Sequence, residues 1–306
     1  MKIAILGAGA MGSLFGAILA EGGHEVWLLN RWKEHVDAIN AHGLHILGVS
    51  GERWVRNLRA TTLAAQVGPS DLVLVFVKST VTEVAVSQSR ALFGPHTVAL
   101  TLQNGLGNVE KMASVLDKSQ IIAGITAQGS TLLGPGEIRH AGTGGTFIGE
   151  LDGTISPRIQ AVAEAFNRSG IETQITDNVP GLIWGKLLVN VGINALTGLT
   201  GLKNGQLLDF PETEELLEMA VQEGFRIAQA RGIQIPYADP VSHTKEIARA
   251  TAGNRSSMLQ DVMNRKKTEI GMINGAIVRE AMGLGMEASV NRLLMNLVTV
   301  LEKTYQ

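Results

Sequence analysis

The stretch Lys2-Ile3-Ala4-Ile5-Leu6-Gly7-Ala8-Gly9-Ala10-Met11-Gly12 limits the possible folds of this chain more than any other. Lys2 to Leu6 reads as a short buried strand, and glycines at the spacing G-x-G-x-x-G follow it at once. Ser13 to Glu21 has a helical pattern that stops at Gly22-Gly23, and Glu25 to Leu29 reads as a second strand. Strand, Gly-rich turn, helix and strand thus fit within thirty residues, the compact start of a βαβ unit. In a chain with 36 Gly the motif alone says little and an ordinary glycine turn would satisfy it. Its place between strand and helix gives it meaning. There the glycines allow a tight turn and let backbone N–H groups approach a pyrophosphate at the helix N-terminus. Gly7, Ala8, Gly9, Ala10, Met11 and Gly12 are the expected dinucleotide contacts.

The end of the second strand bears on which dinucleotide. A site for NAD wants Asp or Glu there to take the ribose hydroxyls. This chain has Asn30-Arg31, and a cation beside a neutral amide suits the 2′-phosphate of NADP(H). Arg31 as a solvated first-turn residue is the alternative. Lys78 follows the apolar run Asp71 to Val77 and is either a further contact to phosphate or ribose or a surface lysine. Gln103-Asn104-Gly105-Leu106-Gly107 follows a strand predicted over Thr97 to Leu102. Loops at the carboxyl ends of such strands line the ligand crevice, which would turn Asn104 toward nicotinamide and substrate. Asn-Gly is equally the commonest turn dipeptide.

Further helices are expected at 32–41, 81–92 and 157–169, a strand at 173–175, and short strands between Leu44 and Leu58. Ile121 to Gly149 suggests two or three antiparallel strands closing one side of the sheet. After Pro180 only helical patterns remain, at 181–199, 212–231, 238–250, 257–264, 267–283 and 289–303. The expected fold is α/β: a doubly wound sheet over residues 1–178 and an all-helical domain over 179–306.

The helix that opens the second half, Gly181 to Thr197, is apolar on almost every side. Lys186, Asn190 and Asn194 interrupt it at intervals of four, one stripe down one face. A buried Lys and two buried Asn cost several kcal/mol unless something pairs with them. Either a polar ligand does so, or the lysine snorkels outward and the amides bond to neighbouring helices. Locally, Ser257 and Gln260 have the spacing of a capping box, and Glu269 fits an acidic first turn.

Hydrophobic residues make up 45% of the 306 and charged residues 18%, a globular composition long enough for two domains. A net charge of −2 provides no basic field for nucleic acid, and with no Cys there are no disulfides and no thiolate-ligated zinc. Seven His make no H-E-x-x-H pair, so no metal site is expected. No apolar stretch free of charge reaches about 18 residues, so no membrane partner is expected and a soluble cytoplasmic protein is the default. Leu293, Leu294, Leu297, Val298 and Leu301 suit a core face and equally a homodimer contact.

Taken together, these stretches resemble the ketopantoate reductase (2-dehydropantoate 2-reductase) family over nearly the whole chain. The matching pieces are GAGAMG at 7–12, NR at 30–31, VKS at 77–79, QNGLG at 103–107 and W-x-K-x-x-x-N-x-x-x-N from Trp184 to Asn194. NRSSMLQD at 254–261, TEI at 268–270 and ING at 273–275 complete them. The resemblance implies a Rossmann-type domain joined to a helical one, with the active site in the cleft between. It implies NADPH-dependent reduction of ketopantoate to D-pantoate, on the way to pantothenate and coenzyme A. The family's catalytic lysine falls on Lys186 and its substrate residues on Asn190, Asn194, Asn254, Ser257 and Glu269, with Asn104 near the nicotinamide. Two departures bear on the substrate: Gly271 stands where the family often has Asp, and Ala288-Ser289-Val290 where it often has Pro. A related reductase of another small 2-oxo acid, or a non-catalytic NADPH sensor, are the alternatives.

Overall fold

The computed structural model describes residues 1–305. The first part of the chain carries β1 (Lys2–Leu6), α1 (Ala10–Glu21), β2 (Glu25–Leu29), α2 (Lys33–His42), β3 (Leu44–Gly48), β4 (Arg53–Val55), β5 (Arg59–Thr61) and β6 (Leu72–Val75). It continues with α3 (Thr82–Gln88), β7 (Val98–Thr101), α4 (Asn108–Ala113), β8 (Ile121–Thr126), β9 (Gly129–Gly134), β10 (Glu137–Gly142), β11 (Thr146–Glu150), α5 (Pro157–Ser169) and β12 (Thr173–Ile175). The rest is helical: α6 (Val179–Thr200), α7 (Pro211–Ala230), α8 (Pro240–Ala250), α9 (Ser257–Met263), α10 (Asn274–Gly283) and α11 (Ser289–Lys303). Two compact units result, residues 1–103 with 108–179, and residues 104–107 with the chain from Pro180 onward.

The first unit is built on an eight-stranded sheet of order β12-β11-β8-β7-β6-β1-β2-β5. Every neighbouring pair in it is parallel except β11 with β8. Strands covered on both faces must be apolar throughout, as Leu72-Val73-Leu74-Val75 of β6 is. Alternate residues serve opposite layers. Ile3 and Ile5 join the core of Phe15 and Phe166, while Ala4 and Leu6 join that of Val86 and Met112.

The segment 121–149 departs from expectation. It forms four strands divided between two sheets. β8 and β11 enter the main sheet, whereas the β9–β10 hairpin leaves it and pairs β10 parallel to β3, giving a second sheet of order β4-β3-β10-β9. The reason lies in the apolar face of β3 and β4. Leu44, Ile46 and Val55 are buried in the core that also holds α1, and two short strands cannot sustain such a face alone. Ile138 of β10 completes it.

The second unit packs around α6, whose Leu187, Leu188, Val191 and Leu196 are all at most 2% exposed. At 22 residues and mean hydropathy 1.4, α6 is long and apolar enough to cross a membrane, yet 67% of its apolar window is buried in the protein. It is a core helix. The helix expected over 267–283 is interrupted: α10 begins only at Asn274, behind a 3-10 turn over Ile270–Met272. Thr268 is drawn out of helical pairing because its N–H and Oγ1 both donate to Glu302 Oε1 of α11, at 2.7 and 2.6 Å. On α11, Leu294 and Val298 are core, whereas Leu293 and Leu297 stay exposed.

Candidate active site

In the first unit the chain leaves β1 through Gly7, whose φ of +99° suits glycine alone. A Cβ at Gly7 would also lie 2.5 Å from the Val77 backbone N, so the loop runs hard against the segment that leads into the exposed Lys78. Gly12 is needed for a different contact, since a Cβ there would meet Gly7 O at 2.4 Å. A Cβ at Gly9 would meet nothing within 4 Å, leaving open space in front of the helix. Gly9 is the N-cap of α1 and provides no side-chain acceptor. The N–H groups of Ala10, Met11 and Gly12 accordingly have no acceptor among the described residues. Three free donors over open space at a helix N-terminus fit a pyrophosphate.

The loop is braced from behind. Gly7 and Ala8 N–H both donate to Leu29 O of β2, at 3.1 and 2.8 Å. The Ala8 carbonyl accepts from Asn30 Nδ2 at 2.6 Å and from Ser13 Oγ at 3.2 Å. Ser13 in turn meets Nε2 of the buried His35 at 3.3 Å, and His35 Nδ1 accepts the Gly136 N–H at 3.0 Å. That bond fixes the neutral tautomer with hydrogen on Nε2, and burial pushes the His35 pKa down in the same direction. Asn30 is therefore committed to the loop. Arg31 beside it is exposed and without a hydrogen bond or ion pair among the described residues. Sequence reasoning missed Ser13 and His35; a histidine whose partner lies 101 positions away leaves no local trace.

In the second unit Lys186 is partly buried in the apolar body of α6. Burial pushes its ammonium down to about 8, against the opposing pull of Glu269. That electrostatic link joins α6 to the 3-10 turn that Glu269 starts, rather than the first helical turn expected there. Asn194 is buried and Asn190 partly so, and neither carboxamide finds a hydrogen-bond partner among the described residues. Residues 104–107 lie against the same turn: Leu106 N–H donates to Met272 O at 3.2 Å. Gly105, at φ +80°, comes so close that a Cβ would lie 2.3 Å from that oxygen. Asn104 is thereby held at the turn that carries Glu269, and its Asn-Gly pair lies in a bend.

The capping assignment changes. The N-cap of α9 is Ser256, whose Oγ accepts the Leu259 N–H at 3.0 Å. Ser256 is buried and bonded to Thr197 of α6, whereas Ser257 is exposed and outside the cap. Gln260 turns back to Arg255 O instead of completing a capping box. Asn254 and Ser257 consequently present side chains with no intramolecular bond among the described residues.

A parallel sheet with this Gly-rich loop after its first strand defines a Rossmann-type dinucleotide-binding protein with a helical second unit. The ketopantoate reductase PanE/ApbA family model matches residues 3–153 and its C-terminal companion matches residues 178–302. A 2-dehydropantoate 2-reductase of Halobacterium salinarum is 37% identical over 99% of both chains. Among solved structures, a PanE/ApbA family ketopantoate reductase from Ralstonia eutropha is 34% identical at TM-score 0.93, covering all of both chains. A D-mandelate dehydrogenase, solved with NADH and anilino(oxo)acetate, is 29% identical at TM-score 0.93 over 100% of this chain and 99% of its own. The chain belongs to the ketopantoate reductase family.

Proposed function

We propose that this protein reduces 2-dehydropantoate (ketopantoate) to D-pantoate with NADPH, in the cytoplasm, as a step toward pantothenate and coenzyme A. The family and the curated relatives support the reaction. The residues of this chain support how it is done. Gly7, Ala8, Gly9, Ala10, Met11 and Gly12 hold the pyrophosphate, and the unpaired Arg31 takes the 2′-phosphate, a bidentate match that an acid would repel. Lys78 and Asn104 complete the dinucleotide contacts. When bound, the nicotinamide supplies hydride to the 2-keto carbon.

The single observation that carries the reading is the stripe on α6: a lysine lowered to about 8, with two carboxamides left unbonded one and two turns further on. Negative charge develops on the carbonyl oxygen during reduction, and Lys186 in its ammonium form polarises that oxygen and donates the proton to it. Asn190 and Asn194 donate their amide hydrogens to the substrate, and Asn254 and Ser257 donate to its carboxylate. Glu269 accepts from the substrate hydroxyl, the one end of ketopantoate where a carboxylate meets no like charge, and it favours the charged form of Lys186.

The test is NADPH oxidation with ketopantoate beside a panel of 2-oxo acids, NADH in parallel. Saturable turnover on ketopantoate, well above the panel and with NADPH preferred, is the expected result. The panel includes the 2-oxo form of mandelate, because the likeness to D-mandelate dehydrogenase favours it as the second reading. Activity there alone would reassign the substrate. NADPH binding without any turnover would remove Lys186 from catalysis and leave a sensor.

A further inference from the structure

Thr197 lies one turn past Asn194, continuing the Lys186–Asn190–Asn194 line on α6, and is fully buried. Its Oγ1 bonds back to Ile193 O at 2.9 Å and Asn194 O at 3.0 Å, which uses its one hydrogen. It must therefore accept from Ser256 Oγ, 2.7 Å away. Ser256 Oγ gives its hydrogen there and accepts the Leu259 N–H. One directed chain of hydrogen bonds runs from the first turn of α9 through two buried hydroxyls to the carbonyl of Asn194 itself. The segment is tied a second time where Asn204 N–H donates to Asn254 O at 3.0 Å. Asn254 stands at one tie and Ser257 next to the other, and their own side chains bond to nothing described.

We propose that Thr197 and Ser256 are positioning residues for substrate: their hydroxyl pair sets Asn254 and Ser257 in register with Asn190 and Asn194. Four neutral donors then meet the substrate together. A helix cap alone does not require this arrangement, because Ser256 caps α9 without help from Thr197. The inference rests on the reading of the site given under the proposed function.

The test uses the full chain, with KM and kcat for ketopantoate, KM for NADPH and a thermal melt for each variant. Thr197→Val keeps the shape and removes the hydroxyl. It is expected to raise the ketopantoate KM about tenfold, the scale of one buried hydroxyl left unpaired, with kcat and the NADPH KM within about twofold. Thr197→Ser restores KM. Ser256→Asn keeps a good cap but breaks the pair, so it raises KM while melting near the wild type. Combining Thr197→Val with Ser256→Asn raises KM no further than the larger single change. The inference is overturned by an unchanged ketopantoate KM in Ser256→Asn, by a parallel rise in the NADPH KM, or by failure of Thr197→Ser to restore. Should Thr197→Val not fold, Ser256→Asn and Thr197→Ser decide it. A wild type that turns over no 2-oxo acid overturns the underlying reading instead.

Discussion

The Gly-rich loop and the α6 stripe leave their polar groups available in opposite ways. Around the loop the polar side chains are spent on the protein itself: Asn30 and Ser13 both hold the Ala8 carbonyl, and His35 holds Ser13. What faces outward is main chain, the N–H groups of Ala10, Met11 and Gly12. On α6 the main chain is spent on the helix, and Asn190 and Asn194 are left without partners. Backbone donors suit a pyrophosphate, common to all dinucleotides, so on the proposed reading any choice between them rests on Arg31. Side-chain donors are particular to one ligand shape. On the proposed reading, the α6 side is thus where a change of residue changes the reaction.

That contrast predicts the largest loss for Lys186→Ala, about a thousandfold in kcat with the NADPH KM little moved. An equal rise in cofactor KM would break the separation between the two halves. Next comes Gly12→Ala, whose Cβ meets Gly7 O at 2.4 Å and forces the loop open. NADPH affinity should fall on the order of a hundredfold while Arg31 remains in place, as isothermal titration would show. Arg31→Ala should weaken NADPH about tenfold and leave NADH unchanged, measured as the ratio of the two kcat/KM values. The pH profile sharpens the other half. If Lys186 is the proton donor, as proposed, it donates only while protonated, and kcat/KM for reduction should fall as pH rises through about 8. Glu269→Gln removes the charge that opposes the lowering and should move that fall to lower pH. The smallest effect is on stability: Ser257→Ala should leave the melting temperature unchanged, because the cap belongs to Ser256.

The parts legible in the sequence are those specified by neighbours along the chain. The strand at 2–6, the glycines and the strand at 25–29 form one local pattern, and the 186–190–194 stripe is read from spacing alone. What escaped depended on distant partners. Ser257 has the capping-box spacing in the sequence, yet the hydroxyl that accepts the Leu259 N–H is that of Ser256, which also bonds Thr197, 59 positions away. The helix expected from 267 begins only at Asn274 because Glu302 claims Thr268, 34 positions on. Strands β9 and β10 have the same texture as β8 and β11, and only the apolar face of β3 and β4, which two short strands cannot sustain alone, decides which pair leaves the main sheet.

The parallel pairing of β10 with β3 also sets a schedule for the growing chain. β3 ends at Gly48, yet its partner arrives only with Glu137, and Gly136, which anchors His35, is made at the same moment. At about 5–20 residues per second, the Gly-rich loop waits several seconds during synthesis for the His35 brace. Over that interval β3 offers an unpaired edge, a template for the wrong strand. Closing so long a loop also makes this sheet a slow event in refolding from denaturant.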